Sequence, residues 1–202
     1  MELRGRSLRR NSLAYPSLRG ANQLLNACAA LAALEALRDR LPLGAQEVRN
    51  GLVMVELPGR FQVLPGRPQV ILDVAHNPHA AATLAQNLDN MGFFPFTFAI
   101  FGAMSDKDVL GVISHLKDKI DHWYLTDLPL DRAADTKYLA DCLHQAGVQE
   151  SGDKGAECTI RHFPNPQEAI IEAKRLATEN DRIAVFGSFL TVAGVMALKT
   201  TD

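Results

Sequence analysis

An acidic residue and a histidine follow directly after an apolar run in the segment 71–79 of this chain. Asp73 ends the run, His76 comes three residues later, and Asn77 and Pro78 begin a helical pattern. A carboxylate can accept hydrogen bonds from hydroxyl groups, and an imidazole can bind or protonate an anionic oxygen. Because open α/β sheets bind ligands at the carboxyl ends of their parallel strands, this segment predicts a ligand site.

Small and polar residues also follow three other apolar runs, where further strands are expected to end. They are Gly102, Ser105, Asp106 and Lys107 after the run at 97–101, Thr126 and Asp127 at the end of the run at 123–126, and Gly187 and Ser188 after the run at 182–186. The bodies of these strands are apolar. Polar groups therefore converge on one edge of the predicted sheet, which is the main argument from the residues for a functional site.

Each candidate also has a purely structural interpretation. Asp73 could satisfy neighbouring backbone N–H groups, as carboxylates often do in turns and loops. Asn77 and Ser188 could serve only as helix caps. Arg60 and His76 could be solvated residues without a ligand. The joint occurrence of these residues favours a site more than any one of them does.

Alternating strands and helices must position these residues from about Arg60 onward. Strands are predicted at 61–64, 70–73, 97–101, 123–126, 159–162 and 182–186, and helices at 78–91, 106–117, 136–146, 166–178 and 189–198. Apolar strands that alternate with amphipathic helices are typical of parallel sheets covered on both faces. The pattern predicts an α/β fold with a Rossmann-like, mostly parallel, six-stranded sheet flanked by about five helices.

The first 58 residues differ from the rest. They predict a helix from about 22 to 39 and a shorter one from 45 to 54, after a polar start. This region is too small and too poor in strands to close a core of its own. We therefore expect two domains, 1–58 and 59–202, of which the first is the short helical remnant of a larger domain.

Composition excludes several classes of function. The chain has 202 residues and a net charge of -2, so neither nucleic acid nor a membrane is expected as a partner. The basic cluster from Arg4 to Arg10 predicts a frayed strand or a solvated tail. Three cysteines without paired spacing and the lack of a signal peptide favour the cytoplasm. No P-loop, dinucleotide fingerprint or histidine–cysteine metal pattern occurs, so no metal ligands are predicted in this chain.

Several segments occur in an order that is characteristic of one enzyme family. They are Gly20-Ala21-Asn22-Gln23-Leu24-Leu25-Asn26-Ala27, Leu57-Pro58-Gly59-Arg60-Phe61, Asp73-Val74-Ala75-His76-Asn77-Pro78-His79, Gly102-Ala103-Met104-Ser105-Asp106-Lys107-Asp108 and Gly187-Ser188-Phe189. The chain closely resembles the bifunctional dihydrofolate synthase/folylpolyglutamate synthases of the Mur ligase superfamily. The run at 57–61 favours the folate branch over the cell-wall branch.

The resemblance implies a reaction and a role for each matching residue. These enzymes use ATP and Mg²⁺ to phosphorylate a carboxylate of dihydropteroate or folate, and the amine of L-glutamate then attacks the acyl phosphate. Carried over, Asn26 approaches the adenine, Asp73 binds the ribose, and Ser188 lies near the incoming glutamate. Arg60 and His76 reach the phosphates and are the expected catalytic residues. The family is usually monomeric.

The match departs from the family in one respect. The family's ATPase domain, with its P-loop and magnesium ligands, precedes the matching region and is absent from this sequence. The resemblance therefore implies a remnant of the central ATPase domain at 1–58 and a Mur ligase C-terminal, glutamate ligase domain at 59–202. The isolated chain is expected to be inactive without that missing partner domain. A non-catalytic nucleotide- or glutamate-binding module and another Mur-type amino-acid ligase are the alternatives.

Overall fold

The computed structural model describes residues 3–4, 9–10, 13–18, 20–150 and 158–198. The chain divides into two compact units, Met1–Pro58 and Gly59–Asp202. The side chains of the basic cluster from Arg4 to Arg10 lie outside the described part. Within that part, no helix combines the length and the apolar character that a membrane span requires.

The first unit contains two helices and a short strand pair. Strands β1 (Leu3–Arg4) and β2 (Arg9–Arg10) pair antiparallel. The basic cluster therefore contains strand residues, which is one of the two structures that its sequence predicts. Helix α1 (Ala21–Ala36) is rich in alanine and leucine, which have high helix propensity. Helix α2 (Ala45–Met54) has the predicted bounds and buries residues 48 and 52 on one face. These two side chains form a small core with Leu13 and Leu31.

The second unit is built on one six-stranded sheet with the order β3-β4-β8-β5-β6-β7. Its strands are β3 (Gln62–Leu64), β4 (Gln69–Leu72), β5 (Thr97–Phe101), β6 (His122–Thr126), β7 (Thr159–Phe163) and β8 (Arg182–Phe186). Only β3, at one edge, runs antiparallel to its neighbour, and the remaining pairs are parallel. The predicted α/β fold with a mostly parallel sheet is confirmed.

Five helices cover the two faces of this sheet: α3 (Pro78–Asp89), α4 (Val109–Leu116), α5 (Thr136–Gln145), α6 (Pro166–Leu176) and α7 (Phe189–Ala197). One core layer joins α3, α4 and α5 to alternate strand residues such as Ile71 and Phe101. The other joins α6 and α7 to the intervening residues such as Leu72 and Ile100. This alternation follows from the two-residue period of a strand, which places successive side chains on opposite faces.

Helix starts agree with the capping residues in the sequence, with one difference. Asn77 accepts a hydrogen bond from the Ala80 amide, and Asn165 accepts one from the Glu168 amide. The helix predicted from Asp106 begins instead at Val109. Asp108 caps it by accepting from the Gly111 amide at 2.8 Å, because its side chain reaches forward over the first turn.

Candidate functional site

The candidate residues lie at the carboxyl ends of β4 and β8, and we call the region between these two strand ends the crevice. The two strands are parallel neighbours, with Leu72 opposite Val185. The helix that follows β4 packs on one face of the sheet, and the helix that follows β8 packs on the other. The segments that follow β4 and β8 leave towards opposite faces of the sheet. The ends of these strands therefore form a topological switch point, where open α/β sheets bind ligands.

Asp73 directly follows β4 and accepts hydrogen bonds from the two loops around it. Its Oδ1 accepts a hydrogen bond from the Ala75 amide at 2.8 Å, and its Oδ2 accepts one from the Phe61 amide at 3.0 Å. This carboxylate therefore satisfies neighbouring backbone N–H groups, as its structural interpretation predicts. Each carboxylate oxygen has a further lone pair, so Asp73 can also accept from a ligand hydroxyl group.

Burial raises the pKa of Asp73 above its ordinary value of 3.8. The hydrogen bonds from Ala75 and Phe61 and the positive charge of Arg60 act in the opposite direction. These groups stabilise the charged form, which burial alone would disfavour. The carboxylate is thus held next to a cation in a partly buried environment, as is common at binding sites.

Arg60 is exposed on a tight turn that is attached to the end of β4. The Gly59 carbonyl accepts a hydrogen bond from the Val74 amide at 2.8 Å. Gly59 has φ +70°, and a Cβ atom there would come within 2.9 Å of the Val74 side chain. Phe61 has φ 44°, a left-handed conformation that is unfavourable for an aromatic residue. Asp73 and Val74 therefore set the position of Arg60 through the backbone.

The ring of His76 has one nitrogen committed and one available. Nδ1 lies 2.8 Å from the carbonyl oxygen of Val74. A carbonyl oxygen can only accept, so Nδ1 carries a proton and donates it. Nε2 remains for a ligand, and it donates to an anionic oxygen when the ring is protonated.

Ser188 joins the same edge of the sheet at the start of α7. Its hydroxyl oxygen accepts from the Leu190 amide at 3.2 Å, and the residue is only 6% exposed. The preceding Gly187 donates its amide to the Ala75 carbonyl at 2.9 Å, which connects the ends of β8 and β4. These backbone bonds place Asp73, His76 and Ser188 at the carboxyl ends of the adjacent strands β4 and β8.

Phe189 is the residue of this region that sequence reasoning missed. Its ring centroid lies 6.0 Å from the guanidinium carbon of Arg60 and 6.2 Å from the centroid of the His76 ring. The residue is 60% exposed. Its position directly after Ser188 in the last motif could have indicated a role in the site. Hydrophobic periodicity identifies it only as the first residue of a helix.

Asn26 lies in the other compact unit and is described within that unit alone. Its side-chain amide donates to Oε1 of Gln23 at 3.1 Å, and the residue is exposed. Both residues line a mostly apolar groove of about 550 Å³ between α1 and α2. An apolar surface with amide groups at its border is suitable for a flat heteroaromatic ring.

A second concave region lies at the carboxyl ends of β6 and β7. This cavity of about 670 Å³ is lined by Asp127, Leu128 and Pro129, by residues 164–168 and by three residues of α7. The Asp127 carboxylate accepts from the Thr136 amide, and the Glu168 carboxylate accepts from the Asn165 side chain. Since these polar groups are engaged locally, the cavity offers mainly apolar surface.

The motif residues Asp106 and Lys107 pair with each other, with Lys107 Nζ 3.1 Å from Asp106 Oδ2. The lysine lowers the pKa of the Asp106 carboxyl. In the described ranges of the chain, no group of three histidine, cysteine, aspartate or glutamate side chains could hold a metal ion.

These groups fit a nucleoside triphosphate better than a metal. Arg60 and the amino end of α7 lie on one edge and favour anionic oxygens, and Nε2 of His76 can donate to such an oxygen when the ring carries both protons. On the same edge, the Asp73 carboxylate can accept hydrogen bonds from hydroxyl groups of a ligand. Arg60 has no ion-pair partner among the residues that the structure describes, so its charge is available to a ligand.

Comparison with known proteins identifies a matching family and several relatives. The family described as "Mur ligase, glutamate ligase domain" matches residues 59–189. The dihydrofolate synthase/folylpolyglutamate synthase of Escherichia coli is 37% identical over 171 residues, which are 85% of this chain and 37% of the relative. The chain spans about two fifths of the length of the curated relatives that it matches first.

Two solved structures of a bifunctional folylpolyglutamate synthase/dihydrofolate synthase have a similar fold. One, from Yersinia pestis, is complexed with AMPPNP and a manganese ion; it is 36% identical, with a TM-score of 0.78. The other, with manganese, AMPPNP and L-glutamate bound, is 35% identical with a TM-score of 0.80. Each alignment covers 98% of this chain and 43% of the solved chain. The resemblance seen in the motifs is confirmed by these relatives.

Proposed function

We propose that this chain, which belongs to the Mur ligase family through its glutamate ligase domain, is the C-terminal part of an ATP-dependent ligase. That ligase joins L-glutamate to dihydropteroate or folate. The observation that carries the proposal is the crevice between β4 and β8, where Asp73, His76, Ser188 and Arg60 lie on one edge of the sheet. The names of the relatives support the folate substrate and the amino acid.

Arg60 and His76 serve the phosphates. ATP supplies the phosphoryl group that converts the substrate carboxylate into an acyl phosphate, and its transfer develops negative charge on oxygen. Arg60 stabilises that charge as a fixed cation. His76 binds a phosphate oxygen through Nε2 while its Nδ1 bond to the Val74 carbonyl fixes the ring. We assign these two residues the catalytic roles.

Three further residues bind the nucleotide and the amino acid. Asp73 accepts from the ribose hydroxyl groups with the lone pairs that the backbone amides leave open. Asn26 approaches the adenine from the border of the groove in the first unit. Ser188 donates its hydroxyl proton to a carboxylate of L-glutamate, because its oxygen accepts from the Leu190 amide and leaves the proton available.

The remaining parts of the site belong to residues outside this chain. We place the P-loop and the Mg²⁺ ligands in an ATPase domain that precedes the chain, of which residues 1–58 are the last part. The 202-residue chain alone is therefore inactive. The complete ligase works as a cytoplasmic monomer.

A chimaera tests this proposal. The N-terminal part of the Escherichia coli relative is joined to this chain, and ATP-dependent addition of labelled L-glutamate to dihydropteroate and to tetrahydrofolate is measured. We expect activity from the chimaera, none from the 202-residue chain, and a loss of at least about a hundredfold in the Arg60→Ala chimaera. Glutamate addition by the chain alone would refute the assignment of the missing parts.

Calorimetric titration of the 202-residue chain separates this proposal from a binding module. With half of each site absent, ATP and L-glutamate are expected to bind only in the millimolar range. Micromolar binding of either ligand would favour a non-catalytic module instead. A chimaera that is active with a cell-wall precursor but not with a folate would favour another Mur-type ligase.

A further inference from the structure

An exposed aromatic ring lies near two side chains of the crevice, those of Arg60 and His76. Phe189 is the first residue of α7 and is 60% exposed, although Ser188 before it and Thr191 after it are buried. The Arg60 guanidinium carbon lies 6.0 Å from the ring centroid, and the His76 ring lies 6.2 Å from it at an angle of 45°. The ring therefore lies close to both groups.

The Arg60 side chain has few other restraints. It is exposed and makes no ion pair within 4.0 Å in the described part of the chain. The Asp73 charge acts on it from a greater distance, and the Phe189 ring is the nearby side chain identified for its guanidinium group. The direction of a flexible arginine is then set by the ring face, which attracts a cation through its quadrupole. His76, by contrast, is fixed at Nδ1 by the Val74 carbonyl.

We propose that Phe189 is a positioning residue whose ring holds the Arg60 guanidinium next to His76, so that the two act together on one polyphosphate. The inference rests on the proposed function, because it deepens the role of the same crevice. Without the ring, Arg60 samples many rotamers, and binding an anion must then restrict them. The ring thus preorganises the site and does not itself bind the anion.

Three substitutions separate the aromatic face from simple packing. Phe189→Leu keeps an apolar side chain but removes the aromatic ring face. Phe189→Tyr retains the aromatic ring face. Phe93→Leu is the matched control, because Phe93 is a 91% exposed phenylalanine outside the crevice. The probe is inorganic tripolyphosphate, titrated into the 202-residue chain while the NMR signals of Arg60 and His76 are followed.

We expect Phe189→Leu to weaken tripolyphosphate binding about threefold, as suits a cation–π contact at an exposed site. The same variant should lose the ring-current shifts of the Arg60 and His76 signals. Phe189→Tyr and Phe93→Leu should retain both properties. In an Arg60→Ala background, Phe189→Leu should have no further effect on binding, because a positioning residue acts only through the group it positions.

Three results would overturn the inference: unchanged binding in Phe189→Leu, independent effects of the two substitutions in the double variant, or no binding of tripolyphosphate by the unmodified chain. The outcome is distinguishable from that of the ligase assay. An inactive chimaera together with Phe189-dependent tripolyphosphate binding would remove the proposed function and keep the positioning role. An active chimaera without that dependence would do the reverse.

Discussion

The backbone amide of Phe61 donates to Oδ2 of Asp73 at 3.0 Å, and this bond attaches the turn that carries Arg60 to the end of β4. The other oxygen of the same carboxylate accepts from the Ala75 amide, next to His76. One side chain therefore shapes both loops that carry the proposed phosphate-binding cations. A residue expected to bind a ribose is also a structural link within the site.

Substitution of Asp73 should lower the stability of the second unit, and more so with alanine than with asparagine. Asp73→Ala leaves two partly buried amides without their acceptor, and we expect a loss of about 2 kcal/mol in the free energy of unfolding. Asp73→Asn keeps one acceptor oxygen and should lose about half as much. Urea unfolding can be followed by the fluorescence of Trp123, the single tryptophan, which is fully buried in this unit. Equal stability of Asp73→Ala and the unmodified chain would contradict the proposed link.

The pKa of Asp73 should respond to Arg60. Burial raises this pKa above 3.8, and the charge of Arg60 opposes the rise. We therefore expect Arg60→Gln to raise the pKa of Asp73 further, measured by carbon NMR of the carboxyl group. Arg67→Gln, an exposed change in the turn between β3 and β4, is the control and should leave it unchanged.

The raised pKa of Asp73 makes its contribution to the stability of the fold depend on pH. A folded-state pKa above the unfolded value means that folding favours the protonated carboxyl group. The contribution of Asp73 to stability thus falls as the pH rises from 3.8 through the folded-state pKa. A folded-state pKa at or below 3.8 would show that hydrogen bonding outweighs burial.

Gly187 should not tolerate a side chain. It has φ +102°, and a Cβ atom there would lie 2.6 Å from the Gly102 carbonyl oxygen and 2.7 Å from the Phe101 ring. We expect Gly187→Ala to cost about 3 kcal/mol of stability, from backbone strain and overpacking together. Gly92→Ala is the matched control: φ is +89° but nothing lies within 4 Å, so it should cost only about 1 kcal/mol. Similar losses in both variants would show that the contact adds nothing.

His122 should make the second unit less stable in mild acid. Its ring lies between Phe96 and Phe98, and burial lowers its pKa although Asp121 and Asp181 act in the opposite direction. Because the unfolded chain binds the proton more readily, stability is lost as the pH falls below 6.5 towards the folded-state pKa. The melting temperature should therefore fall less between about pH 7.5 and pH 5.5 in His122→Phe than in the unmodified chain.

An exposed histidine provides the comparison for that experiment. His79→Gln, in the first turn of α3, should show the same decrease in melting temperature as the unmodified chain. If His122→Phe also shows it, the pH dependence belongs to other groups.

Local features of the second unit could be predicted from the sequence because their causes lie within a few residues. Asn77 and Asn165 each cap the helix that begins at the next residue, and the apolar period distinguishes strand from helix. The start of α4 was placed three residues early because Asp106 and Asp108 are equally good caps by type. Only the backbone path after β5 decides which of them reaches the first turn.

The residue types along the chain already show which residues end the strands and begin the helices, and hence which chemical groups lie at the carboxyl edge of the sheet. Only three-dimensional packing decides that β8 lies between β4 and β5, because β6 and β7 separate it from both of them along the chain. Hydrophobic periodicity selects the face that a residue buries but not its neighbour in the sheet. Only this strand order places Phe189 against Arg60 and His76, because a contact between distant segments depends on the packing of the whole sheet.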